Sequence, residues 1–497
     1  MTTSEAGARR PVPQAWAALV AAVVVIAHSP AFFHRLLDGD EAIYGTIAAL
    51  MNLGDGLYAE GGVDNKPPGV FWVYSLVFRV FGTYQMTAVH AVALLTILAT
   101  CVVVYMIGTR LSGPRAGLMA AALYGLLTAA GNPRLLAANT ELFMMLPLAA
   151  SVLLTLRRQW LWAGLVLVAA GAFRQVAAIN VLLIPIAILF LEPRPTRLRA
   201  AVMSGVGIAA GVVALLTLVA VTASLPGFWR WTVGSLYGYA STSWTPALVW
   251  LRLTDSLAPF AIELVGVWVA AIAWLARWPK LGPEHRVIAA WLPIAFVGSI
   301  AGGHISWHYF IQVMGPMALL ASFSVDLALQ SQWKRQVAAI GIAAIAIPTV
   351  AWGAYDVVAD PLTYDFYPQV PQHAAVAAYI RDHTEPGDRV FVWGDWPALY
   401  VESDRLMASR FPGFLRGFAR GSGLPPNNWD TTPDVWPALE SDLEKNPPAL
   451  IVDTASPGWS DFESYPMTDY PVLESLVAAH YHPVALVDGV VMYARNS

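Results

Sequence analysis

Two short charged stretches interrupt an apolar chain. Residues 38–44 read Asp-Gly-Asp-Glu-Ala-Ile-Tyr, and residues 65–69 read Asn-Lys-Pro-Pro-Gly. In the first, Asp38 and Glu41 have the spacing of a capping box, a helix-capping carboxylate with a Glu three positions on that reaches back to it. That accounts for Asp38 and Glu41 but not for Asp40, which falls in the first helical turn, where the helix dipole favours negative charge. A carboxylate held there can take the proton of an attacking hydroxyl as a general base. Two residues apart, Asp38 and Asp40 could instead share a divalent cation through oxygen ligands. In the second stretch Lys66 precedes a proline pair. The bland reading is a solvated lysine ahead of a helix start. The chemical reading is a cation on a stiff turn, aimed at a phosphate.

The rest of the chain must hold these residues in place. It has 497 residues, 57% hydrophobic and 12% charged, where a soluble domain carries about 25% charged. Apolar runs of about 20 residues recur, so the chain reads as a polytopic membrane protein. A net charge of −4 offers no footprint for nucleic acid. The single cysteine, Cys101, excludes an intrachain disulfide and a cysteine-built zinc site.

Spans are expected at 14–33, 85–108, 116–131, 141–156, 159–173, 176–191, 200–223, 258–276, 287–303, 306–328 and 336–353. The first follows Arg9 and Arg10 without a small-residue cleavage site and reads as an uncleaved anchor. Basic residues fall on every second loop: Arg110 and Arg115, Arg157 and Arg158, Arg194 to Arg199, Arg277 to Arg286, then Lys334 and Arg335. They share a side with Arg9 and Arg10, which puts the N-terminus in the cytoplasm. The loop carrying Asp40 and Lys66 then lies outside, as does everything after the last span. Inside that loop, helical spacing of apolar residues predicts two interfacial helices, at about 40–52 and 67–81. The Gly205-x-Gly207-x-x-x-Gly211 run lies within a span and predicts close helix packing.

A second outer segment, 225–257, is rich in aromatics: Phe228, Trp229, Trp231, Tyr237, Tyr239 and Trp244. It reads as an interfacial belt, or as a mobile wall over an entrance. From 354 onward spans cease. Residues 354–371 read as a linker and 372–497 as a small α/β domain with a largely parallel sheet. Its strands are expected at 389–393, 449–452 and 484–487, and its helices at 372–384, 434–445 and 469–480. Asp395 and Trp396, after the first strand, read as turn residues.

Further polar residues gather at the same membrane face. Arg134 and Glu141 bracket one outer turn, Arg174 and Gln175 lie at the next, and His304, His308 and Tyr309 stand where two later spans meet. Each has a structural reading as a helix start, a snorkelling arginine or a packed histidine. Arg174 and His308 are the best placed to grip a phosphate.

Asp-Glu-Ala-x-Tyr after the first span, followed by Asn-Lys-Pro-Pro-Gly-x-Phe-Trp before the second, resembles the GT-C glycosyltransferases. The branch is that of the protein O-mannosyltransferases and lipid A aminoarabinose transferases. The resemblance covers roughly residues 1–330. It implies a helical membrane fold of about eleven spans, with two juxtamembrane helices in the first outer loop. It implies inverting sugar transfer from a polyprenyl-phosphate donor at the outer face of the plasma membrane, to a glycan, lipid or protein acceptor. Asp40 matches the catalytic base of the family, Glu41 its acidic neighbour and Lys66 its phosphate-facing lysine. Some relatives carry an acid immediately before that lysine; here it is Asn65, which weakens the case for a second acid and for a bound divalent metal. The competing readings are a transporter or flippase of a lipid-linked sugar and a non-catalytic scaffold. Transporters place polar groups at mid-membrane within internal repeats; here no repeat is visible. The domains are then 1–353 in the membrane, the linker, and 372–497 outside.

Overall fold

The computed structural model describes residues 14–130, 132–234, 246–303, 305–330, 370–413 and 435–496, with the isolated positions 336 and 343. In chain order the helices are α1 (Gln14–Ala27), α2 (Gly39–Asn52), α3 (Gly69–Phe81), α4 (Met86–Ser112), α5 (Pro114–Leu127), α6 (Thr140–Leu156) and α7 (Trp160–Gly171). A 3₁₀ stretch over Gln175–Leu182 runs into α8 (Leu183–Leu191), and α9 is Arg197–Thr222. There follow α10 (Ala258–Glu263), α11 (Val265–Leu275), α12 (Pro283–Ile300) and α13 (Ile311–Leu329). Helical structure thus falls on each expected span except 336–353, most of which lies outside the described residues.

The expected eleven spans are borne out in part among the described residues. Among the described residues, Met86–Ser112, Arg194–Thr222 and Trp307–Leu329 are long and apolar enough to cross a membrane. A fourth exists if Val249–Glu263 and Val265–Leu275, bent by 72°, count as one. The other apolar helices are shorter. α6, with 17 residues, reaches about 26 Å at 1.5 Å per residue, under the roughly 30 Å hydrocarbon core.

By packing, the chain divides into two compact units. One comprises 1–33, 90–215 and 244–359; the other comprises 34–89, 216–243 and 360–497. The first is a helix bundle. α6 packs on α7, and α5, α11 and α12 pack on α13. α13 is apolar on every side and is correspondingly surrounded, with 83% of its most apolar window buried. The glycine run of α9 packs as its sequence predicts. A Cβ on Gly207 would fall 2.0 Å from the Leu161 carbonyl of α7, and one on Gly211 2.9 Å from Val168. Gly205 faces open space.

The second unit joins the first outer loop to the C-terminal domain. Its helices there are α14 (Val370–Asp382), α15 (Ala398–Ser403), α16 (Val435–Lys445) and α17 (Pro471–His480). The strands are β1 (Arg389–Trp393), β2 (Leu406–Met407), β3 (Leu450–Asp453), β4 (Tyr481–Val487) and β5 (Val490–Arg495), in the order β2-β1-β3-β5-β4. β1 pairs in parallel with β2 and β3, but β5 is antiparallel to both β3 and β4. The sheet is therefore mixed, a correction to the largely parallel expectation. The cause is the β4–β5 hairpin, whose two-residue loop Asp488-Gly489 has both φ angles positive (47° and 89°), as a tight hairpin turn demands. The expected linker falls outside the described residues apart from Val370 and Pro371.

α2 and α3 lie where the spacing predicts, and α2 is covered by protein on nearly all sides. Twelve of its fourteen residues are buried, because it packs on α3 and also on α15 and β2. The loop between α2 and α3 is stitched to the sheet domain. The Val63 amide donates to the Arg410 carbonyl (3.0 Å), Asp55 pairs with Arg389 (3.8 Å) and Glu60 with Lys445. Val63 itself joins the apolar core of Phe391, Trp393, Trp436 and Ile451. α3 keeps an exposed apolar edge at Leu76, Val80 and Phe81, consistent with a helix lying against lipid.

Candidate active site

Asp38 caps α2: its carboxylate accepts the Asp40 amide (3.2 Å). Glu41, fully buried, reaches back past the cap to accept the Leu37 amide (2.7 Å). Both therefore have helix-start tasks, as the capping-box spacing predicts. Asp40 is held differently. The Tyr44 hydroxyl, one turn on, donates to Asp40 Oδ2 (3.2 Å), and Lys66 Nζ lies 3.6 Å from the same oxygen. Lys66 is 5.8 Å from the Tyr44 ring centre.

Lys66 has a second carboxylate beside it. Asp64 Oδ1 lies 3.7 Å from Lys66 Nζ and accepts the Lys66 backbone amide (2.9 Å). The bend is braced by Tyr58, whose hydroxyl donates to the Lys66 carbonyl (2.7 Å). Burial, then the Asp64 charge, push the Tyr58 hydroxyl well above its ordinary range, so it stays protonated. Asp64 was not singled out in the sequence. The signal was an Asp two residues before Lys66, the spacing at which a side chain turns back onto the chain. The second acid that Asn65 appeared to remove is thus supplied one residue earlier. Lys66 and Asp64 are buried, with side chains 7% and 1% exposed, while Asp40 keeps 23%.

A metal fits these residues poorly. Among the described residues no group of three or more His, Cys, Asp or Glu side chains is placed to hold one. The Asp38 carboxylate is engaged with a backbone amide, and the Lys66 ammonium is already the cation within 4 Å of both Asp40 and Asp64.

The first unit holds a second polar cluster. Arg174 forms an ion pair with Glu141 that is buried on both sides. It also donates to Thr140 Oγ1 (3.3 Å) and lies over the Tyr309 ring at 3.8 Å. Thr140 in turn donates to Glu141 Oε2 (2.9 Å), and His308 Nε2 is 3.9 Å from Glu141 Oε1. Four of the polar residues read from the sequence, Glu141, Arg174, His308 and Tyr309, are thus brought together. Arg134 binds Ser306 instead (3.4 Å). Gln175 opens the 3₁₀ stretch after Arg174. His304 lies outside the described residues, as do Tyr237, Tyr239 and Trp244 of the aromatic segment. Of that segment, Phe228 is buried against Tyr58 (ring centres 5.8 Å apart) and Trp231 meets Phe411 edge to face (6.5 Å).

The described residues thus form a helix bundle and a small C-terminal sheet domain, with an acid–lysine pair in the first loop. The sequence profile of the dolichyl-phosphate-mannose-protein mannosyltransferase family matches residues 65–224. Solved structures agree on the fold. ArnT from Cupriavidus metallidurans bound to undecaprenyl phosphate superposes with a TM-score of 0.60, at 16% identity over 98% of this chain and 99% of its own. The Archaeoglobus fulgidus oligosaccharyltransferase in its apo form gives 0.58, at 12% identity over 97% of this chain and 74% of its own. The same enzyme, AglB, with an inhibitory peptide and a dolichol phosphate gives 0.56 at 13% identity, over 97% and 74%. No curated protein sequence matches the chain. The chain is thus similar over residues 65–224 to the dolichyl-phosphate-mannose-protein mannosyltransferase family, and it shares its fold with ArnT and the archaeal oligosaccharyltransferase.

Proposed function

We propose that the protein moves a sugar from a polyprenyl-phosphate donor to a cell-envelope acceptor, with inversion, at the outer face of the plasma membrane. The acceptor hydroxyl oxygen bonds to the anomeric carbon as the bond from that carbon to the lipid phosphate breaks. Asp40 takes the hydroxyl proton, and the lipid phosphate departs with the bonding electrons toward Lys66. One observation carries this reading: Asp40 is the partly open acid of the cluster and is aligned by both Tyr44 and Lys66. A carboxylate fixed in this way serves as a base, and a buried ammonium stabilises a developing phosphate charge. Arg174 and His308 are further phosphate ligands in this reading, and Glu41 is a positioning residue through α2. The N-terminus is cytoplasmic and the sheet domain extracytoplasmic.

The test is transfer by purified protein in lipid nanodiscs, from a panel of synthetic undecaprenyl-phosphate hexoses and pentoses to an envelope extract. Asp40→Asn is expected to lower turnover at least 100-fold while undecaprenyl phosphate still binds. Undiminished turnover by folded Asp40→Asn protein overturns the mechanism.

A further inference from the structure

Lys66 ends a short run of chain that is closely wrapped by protein. Residues 61–66 are all buried, and the run is pressed between α2 and the sheet domain. On the α2 side, Gly62 has a φ of 115°, and a Cβ there would fall 2.6 Å from Ile47 Cγ1. Glycine alone meets both that left-handed backbone and that close approach. Ile47 sits about two turns after Asp40 in α2, so this contact fixes the run against the helix that carries the base. On the other side, the Val63 amide donates to the Arg410 carbonyl (3.0 Å). The run is thereby held one residue before Asp64, whose carboxylate turns back onto the Lys66 amide.

Arg410 is itself firmly held. Its amide and its Nε both donate to Asp442 Oδ2 (2.9 Å each), and its Nη2 donates to Asp442 Oδ1 (2.6 Å). This is a bidentate fork, which fixes geometry as well as adding energy, with a backbone contact besides. The Asp442 side chain is 7% exposed. A carboxylate so buried is costly to desolvate, and a buried ion pair adds little stability over an apolar one; what this pair supplies is one fixed arrangement. Asp442 stands on α16, whose Val435, Trp436, Leu439 and Leu443 enter the sheet core, so its carboxylate is anchored from behind. The Lys445–Glu60 pair joins the same helix to the same loop, but both of its side chains are more than half exposed, and such pairs fix little.

What is at stake is a distance. Lys66 Nζ lies 3.6 Å from Asp40 Oδ2 and 3.7 Å from Asp64 Oδ1, and a misplacement of about 1 Å at a reacting group can cost about 100-fold in rate. We infer that Arg410 and Asp442 are positioning residues for Lys66: through this pair and the Val63 amide, the sheet domain holds the lysine where the lipid phosphate is received and so forms part of the donor site. This role rests on the glycosyltransferase reading above. It gives the C-terminal domain a task in donor binding, whichever acceptor is used.

Two measurements on full-length protein in nanodiscs test this: hydrogen–deuterium exchange by mass spectrometry, and the dissociation constant of undecaprenyl phosphate. Asp442→Asn should raise exchange at residues 57–70 while β1 and β3 stay protected as in the wild type, and should weaken undecaprenyl phosphate about tenfold. Introduced into Lys66→Gln protein, which itself binds more weakly, it should weaken binding by less than about twofold further, because the lysine it positions is gone. Lys445→Ala should change neither readout by more than about twofold. Unchanged exchange at 57–70 overturns the positioning role. So does exchange that rises through β1 and β3 as well, equal weakening by Asp442→Asn in both backgrounds, or a Lys445→Ala effect that matches that of Asp442→Asn. Undecaprenyl phosphate binding by Lys66→Gln protein at wild-type strength, with exchange at 57–70 still raised by Asp442→Asn, would instead overturn Lys66 as a phosphate ligand and leave its attachment to the sheet domain standing.

Discussion

Glu141→Gln separates structure from chemistry in the first unit. The Glu141 and Arg174 side chains are 1% and 8% exposed, so the substitution removes the charge that faces a buried guanidinium while its contacts with Thr140 (3.3 Å) and the face of Tyr309 (3.8 Å) stay in place. Removing one partner of a buried pair costs about 3–5 kcal/mol. The cation–π contact with Tyr309, worth about 2 kcal/mol when desolvated, is present before and after and does not offset this. Against a total stability of about 5–15 kcal/mol the loss is large. The assay is built into the chain, since Cys101 is its single cysteine and is buried in the same unit. Its labelling by a thiol-reactive dye on heating reports opening of the bundle. Glu141→Gln should shift the labelling midpoint clearly downward, and Glu141→Leu with Arg174→Met should recover most of it, because an apolar pair removes both charges together. If Glu141→Gln labels like the wild type, the pair contributes nothing and the reasoning fails. If the recovered double variant also transfers sugar at the wild-type rate, Arg174 is no phosphate ligand and its role is structural.

Asp64→Asn should preserve the bend through its side-chain oxygen yet slow transfer, whereas Asp64→Ala should also lower the unfolding midpoint; transfer by Asp64→Asn at the wild-type rate would show that the charge beside Lys66 is irrelevant. Asp38→Ala should cost about 1 kcal/mol as a lost helix cap, read by urea unfolding of the protein in detergent. Burial pushes the Asp453 carboxyl of β3 up to about 6, against the pull of its hydrogen bond from the Ala455 amide. Because the folded form holds the proton more tightly than the unfolded chain, stability from this group is greatest below about pH 4. It falls by about 3 kcal/mol as pH rises to 6 and beyond. Asp453→Asn should flatten that dependence, and an unchanged slope in unfolding between pH 4 and 7 would count against it.

Much of the site was readable from local rules. The N-cap of α2, its first-turn acids, the proline-led start of α3 and the α7–α9 glycine contact all follow from interactions within a few residues or from one residue type. Local rules also held information that spacing alone did not bring out, namely the Asp-Gly turn that makes β4 and β5 a hairpin and the Asp64 bend onto Lys66. The rest depends on pairings far apart in sequence. Nothing near Glu141 announces that Arg174 and His308 will surround it.

The sequence by itself determined that this is a membrane chain with an acid and a lysine poised in its first loop, because hydrophobic runs, caps and turns are set by neighbouring residues. Only tertiary structure decided that the loop belongs to the same compact unit as the C-terminal sheet. There Val63 enters the sheet core and α2 is buried under α15. The physical reason is that apolar burial is non-directional: it drives Val63 and α2 out of water without naming a partner, and the partner is set by the shape of surfaces more than 300 residues away.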